Sequence, residues 1–164
     1  MPANRAAKSA RTSLDLAWDE KLPVNPIEIS KKLLVSGHKV KFSGNSDVGL
    51  SGEAYFDDEK DEFCCIYNNS EVPYRQRFTQ AHELGHVVLG HVNEGKKPKR
   101  DKDFRVNSDD PDEIAANQYA AELLMPEDYV REAVKHHHYI SELAKLFNVS
   151  TAAMRYRLKN LGLL

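Results

Sequence analysis

Arg77-Phe78-Thr79-Gln80-Ala81-His82-Glu83-Leu84-Gly85-His86-Val87-Val88-Leu89-Gly90-His91 is the stretch on which the reading of this chain turns. Phe78, Ala81, Leu84, Gly85, Val88 and Leu89 recur at intervals of three and four, the period of a helix with a wide buried stripe. That helix is expected over 73–90, opening at Pro73 and closing at Gly90. His82 and His86 are four residues apart, so both imidazoles lie on one face beside the stripe. Two imidazoles aimed at one point suit zinc. Glu83, between them, is placed to act as general base on a water at such a metal.

On the N-terminal side of this helix the pattern is strand-like. Val40 and Phe42 alternate with polar residues, Leu50–Phe56 and Phe63–Tyr67 follow, and two polar turns separate them. The expectation is a small antiparallel sheet of about three strands over 38–68, because the loops are too short for helical crossovers. Such a sheet either supports the helix or offers an edge to an extended peptide. Further upstream, Leu14, Ala17 and Trp18 mark an amphipathic helix within 1–22. Asn25-Pro26-Ile27-Glu28 then starts a second helix, with Ile29, Leu33 and Leu34 on its apolar face and Gly37 as its stop.

Downstream, 94–105 reads as a charged loop with the basic run Lys96-Lys97-Pro98-Lys99-Arg100. Asp110-Pro111-Asp112-Glu113 opens a helix over 111–125, and Pro126 starts another that His136-His137-His138 closes. Residues 140–164 have a helix-turn-helix rhythm, with Leu143, Ala144, Phe147, Met154, Leu158 and Leu161 inward. Arg155, Arg157 and Lys159 are expected on or near the outer surface of the second helix. The whole reads as an α+β protein, with one unit over 1–130 and a helix-turn-helix-like module over 131–164 packed on it.

At 164 residues the chain can bury a real core, and 41% hydrophobic with 29% charged residues is ordinary for a soluble protein. With 23 basic against 25 acidic residues the net charge is −2, which gives no general pull toward nucleic acid or anionic membrane. No apolar run approaches the roughly 20 residues of a membrane span, and Met1–Thr12 lacks the apolar stretch of a secretion signal. A cytoplasmic protein with no membrane partner is the expectation. Cys64 and Cys65 are adjacent, a geometry that strains a disulfide, so both are expected as thiols.

A zinc site that keeps one position open needs a third protein ligand. His91 sits one residue out of register with the longer pattern that would put Gly at 89 and His at 92. His136–His138 point in different directions on a helix. Glu113 lies on the downstream helix, where it also fits a capping box after Asp110. Asn117, one turn on, could orient a ligand, and Tyr119, Tyr156, Arg157 or one of the three consecutive histidines could steady an oxyanion.

Arg75-Gln76-Arg77-Phe78-Thr79-Gln80-Ala81-His82-Glu83-Leu84-Gly85-His86 and Glu113-x-x-x-Asn117-x-x-Ala120-Ala121-x-Leu123-Leu124-Met125-Pro126 together resemble the ImmA/IrrE family of bacterial metallopeptidases. Leu143-Ala144-x-x-Phe147-x-Val149-Ser150 and the residues to Gly162 are similar to the helical module that follows in that family. The resemblance implies a zincin-like fold with one zinc ion held by His82, His86 and Glu113, a ligand set that other divalent transition metals also fit. It implies Glu83 as general base and a partner Xre-family helix-turn-helix repressor as substrate, whose cleavage releases phage, mobile-element or stress-response genes. Some relatives pair with such a repressor as toxin and antitoxin. Longer members add a sensor-like domain, so a chain ending at Leu164 is expected to receive its signal by another route. The competing reading is a DNA-binding regulator that uses Arg155, Arg157 and Lys159 on phosphates, with zinc only structural.

Overall fold

A computed structural model describes residues 2–46, 49–93, 95, 98–101 and 109–164. Along the chain run α1 (Pro2–Ala17), α2 (Pro26–Lys31), β1 (Val40–Asn45), β2 (Gly52–Asp57), β3 (Glu62–Asn68) and α3 (Pro73–Val88). They are followed by β4 (Lys99–Asp101), α4 (Pro111–Leu124), α5 (Glu127–Ala133), α6 (Ile140–Phe147) and α7 (Thr151–Asn160). The α+β class expected from the sequence is the class found. None of the described helices is long and apolar enough to cross a membrane.

The sheet is mixed rather than antiparallel, and β4 makes it four-stranded, in the order β1-β3-β2-β4. β2 and β3 form an antiparallel hairpin, but β1 lies parallel to β3 with Val40 opposite Phe63 and Asn45 opposite Asn68. Parallel neighbours need a long crossover only when they follow one another in the chain. Here β2 comes between them in sequence, so the chain from Asn45 to Gly52 need only bridge two strand spacings, roughly 10 Å. The expected charged loop 94–105 contains β4, whose Lys99–Asp101 pairs with Gly52–Ala54 along the β2 edge. Lys96, Lys97 and 102–108 lie outside the described residues.

One helix end also differs from expectation. Asn25 caps α2 as predicted, accepting from Ile27 N at 3.0 Å and Glu28 N at 3.3 Å. The helix ends at Lys31, however, and Gly37 is not its stop. Ser36 (φ 51°) and Gly37 (φ 80°) instead make a tight turn closed by a Val35–His38 bridge. Leu33 is buried there while Leu34 is exposed.

One core joins all the layers. Ala6, Ala10, Leu14 and Ala17 form the buried stripe of α1, whose small residues let it settle on α4. α3 lies between the sheet and α4, burying Ala81, Leu84 and Val87 with Ala54, Phe63 and Cys65 on one side and Tyr119 and Ala120 on the other. Leu143, Phe147, Met154 and Leu158 of the C-terminal helices belong to the same core. Arg77 of α3 fastens them: its guanidinium donates to the carbonyls of Val24 (2.7 Å), Asn148 (3.1 Å) and Phe147 (3.3 Å).

Arg157, expected outside, faces inward and is only 8% exposed. It donates to the Met125 carbonyl at 3.0 Å and to Glu122 Oε1 at 2.9 Å, which ties α7 to the end of α4. Met125 leaves helical geometry before Pro126, so its carbonyl is open to a side-chain donor. The buried Glu122 carboxylate next to it is neutralised by the same guanidinium.

Candidate metal centre

α3 and α4 approach closely because Gly85 faces Tyr119; a Cβ at 85 would stand 3.0 Å from the Tyr119 ring. That approach brings the first turn of α4 to the middle of α3. Asp110 caps α4 by accepting from Asp112 N at 2.9 Å. Glu113, the other capping candidate, turns its carboxylate onto the histidines. Oε1 lies 3.1 Å from His82 Nε2, and Oε2 lies 3.0 Å from His86 Nε2. Both histidines are fully buried, whereas the Glu113 side chain is 19% exposed.

The other nitrogen of His82 is also engaged: Nδ1 lies 2.7 Å from Asn117 Oδ1. With Nδ1–H donated to that oxygen, Nε2 presents a lone pair to the Glu113 carboxylate. Facing acceptors of this kind are satisfied by a cation between them. The candidate ligand atoms of His82, His86 and Glu113 all lie within 4.8 Å of one another. Tetrahedral bonds of about 2.0–2.1 Å would separate donors by roughly 3.3 Å, so this two-nitrogen, one-oxygen set fits a zinc ion with a fourth position left over.

Glu83 is fully buried beside this cluster, under the start of β2. Gly52 makes room for it, since a Cβ there would stand 2.5 Å from Glu83 Oε2 and 2.5 Å from Thr79 Cγ2. Strand and helix thus touch across a glycine, a placement that only the absent side chain permits. Behind the carboxylate lies the free thiol of Cys65, pushed well up first by burial and then by the Glu83 charge.

A family model for the IrrE N-terminal-like domain matches residues 45–159, which include all of these residues. The chain belongs to that family. It is similar to the radiation response metalloprotease IrrE of Deinococcus radiodurans, 32% identical over 97 residues. That match takes in 57% of this chain and 30% of the relative, so the chain spans under a third of that protein's length. The resemblance to the ImmA/IrrE family read from the two sequence blocks holds.

Within this IrrE-type chain the remaining sequence candidates scatter. Tyr119 is fully buried and donates its hydroxyl to Ser13 Oγ of α1 at 2.9 Å, so it joins helices rather than facing the ligands. Burial pushes its phenol up. Arg157 is committed to Glu122 and Met125, and Tyr156 is exposed on α7. His136 pairs with Glu132 at 3.3 Å on the surface, and none of His136–His138 joins the ligand group among the described residues.

His91 is outside the candidate trio, yet it touches a member of it: its Nδ1 lies 2.9 Å from His86 Nδ1. Burial and the neighbouring His86 push its pKa down to about 4. Sequence reasoning weighed His91 only as a ligand and gave Gly52 no role. The signal for His91 was Gly90, whose φ of 80° turns the chain back onto α3.

Proposed function

We propose that this chain is a zinc-dependent endopeptidase of the ImmA/IrrE type, acting in the cytoplasm on a partner Xre-family helix-turn-helix repressor. The observation that carries the reading is the convergence of His82, His86 and Glu113, with Glu83 next to His82 on the same helix and fully buried. The two histidines and Glu113 hold the metal, and Asn117 fixes the His82 ring by accepting its Nδ1 proton. A zinc ion held there would supply Lewis acidity, lowering the pKa of a water toward about 7 and polarising a peptide carbonyl. Glu83 takes the proton from the attacking water and passes it to the leaving amine. Its close cover by Gly52 keeps bulk water from the carboxylate.

In this reading the C-terminal module is structural. Inward-facing Arg157 removes one of the three basic residues that a DNA-binding surface would use, which disfavours the regulator with a merely structural zinc. The test is incubation of the zinc-loaded chain with Xre-family helix-turn-helix repressors of the same genome, followed by mass spectrometry of the products. Discrete cleavage by the wild type, lost in a Glu83→Gln variant that still binds zinc, is expected. An intact repressor, or equal cleavage by Glu83→Gln, would falsify the assignment.

A further inference from the structure

We propose that His91 is a positioning residue for His86, accepting the His86 Nδ1 proton at its own Nδ1 while directing Nε2–H to Asp112. This inference rests on the metal-site reading above and deepens it. It begins with how α3 ends. Leu89 caps the helix and Gly90 takes the left-handed conformation; Gly90 N donates to the Val87 carbonyl at 3.1 Å and His91 N to the His86 carbonyl at 2.8 Å. This pair of bonds is a Schellman motif, which brings the residue after the glycine back over the last turn of the helix. The two positions so paired usually carry apolar side chains. Here they carry His91 and His86, with ring centroids 5.1 Å apart.

The proton order follows from the surroundings. At 2.9 Å the two Nδ1 atoms share one proton, so one ring donates and the other accepts. On the metal-site reading His86 keeps its Nε2 lone pair for the metal, on the side where that atom faces Glu113 Oε2 at 3.0 Å. His86 is therefore the Nδ1–H donor and His91 the acceptor, with the remaining His91 proton on Nε2. That nitrogen lies 3.4 Å from Asp112 Oδ1, and Lys99 Nζ holds the other oxygen of Asp112 at 3.0 Å. The His86 Nδ1 proton then points to His91, and the His91 Nε2 proton faces the Asp112 charge at a distance long for a hydrogen bond. Asn117 does for His82 what His91 and Asp112 do for His86. The device spans α3, β4 and α4, since Lys99 comes from the strand and Asp112 sits next to Glu113.

Zinc affinity of the full chain, measured by competition with a chromogenic chelator, tests this. His91→Phe fills the space without an acceptor and is expected to weaken zinc binding about 10–100-fold. His91→Asn puts an amide oxygen near the Nδ1 position and is expected to restore most of the loss. Nitrogen-15 NMR of the zinc-loaded wild type is expected to read His91 as the Nε2–H tautomer; the Nδ1–H tautomer would overturn the inference whether or not the variants fold. If the wild type binds zinc and His91→Phe binds it equally well, the inference fails while the metal site stands. Equal loss in both variants, with equally lowered melting points of the metal-free proteins, would make His91 a packing residue. A wild type that binds no zinc would remove the metal site and the inference with it.

Discussion

Gly52 has no side chain, and the site depends on that. Its backbone rests where any Cβ would press on the Glu83 carboxylate and on the Thr79 methyl, both at 2.5 Å. Neither can yield easily, because Glu83 and Thr79 are buried in α3. Gly52→Ala is therefore expected to destabilise the chain by about 1–3 kcal/mol and to displace Glu83. Urea unfolding reads the first effect, and the repressor-cleavage rate reads the second. Zinc affinity should change little, since Gly52 approaches Glu83 rather than the three ligands; a large loss of zinc binding would show that the strand shapes the ligand trio itself. The two histidines and Glu83 were legible in sequence because their relation is local, fixed by 3.6 residues per turn. Gly52 was not, because its partner is on another element and a glycine in a strand has several explanations.

Elements meet here through polar groups as much as through apolar faces. Arg157 links α7 to α4 through Glu122 and the Met125 carbonyl, and Arg77 links α3 to the end of α6. Glu122 is 2% exposed, and without Arg157 its charge keeps only the half-exposed Arg11 Nε at 3.6 Å and the Glu127 N–H at 2.8 Å, so it is left poorly compensated. Arg157→Ala is expected to cost about 3–5 kcal/mol, read as a lower denaturation midpoint. Unchanged stability would return Arg157 to the surface role that its helical position suggested. Periodicity misassigned this residue because an arginine beside an apolar stripe has enough reach to turn inward. The sheet was misread for a related reason. The hairpin between β2 and β3 could be seen, whereas the parallel pairing of β1 with β3 and the recruitment of β4 depend on contacts between distant segments.

Across the whole molecule, a metal would bind the native arrangement of two helices and have no equivalent site in an unfolded chain. His82 and His86 come from α3 and Glu113 from α4, so zinc would cross-link the centre of the core. Free zinc at 1,000 times its Kd is expected to add about 4 kcal/mol of stability, seen as a higher melting temperature that a chelator reverses. A melting temperature indifferent to zinc and chelator would argue against a site formed only on folding. By itself, the sequence determined the α+β class, the helix bearing His82, Glu83 and His86, and the helix bearing Glu113 and Asn117. Those are matters of local period and capping, and the paired blocks also carried the family resemblance. Only the tertiary structure decided that Glu113 faces the histidines rather than serving just its own helix end, that Arg157 and Tyr119 serve the core, and that His91 lies against His86. Each of these depends on which surfaces close against one another, and that is set by long-range packing rather than by the order of neighbouring residues.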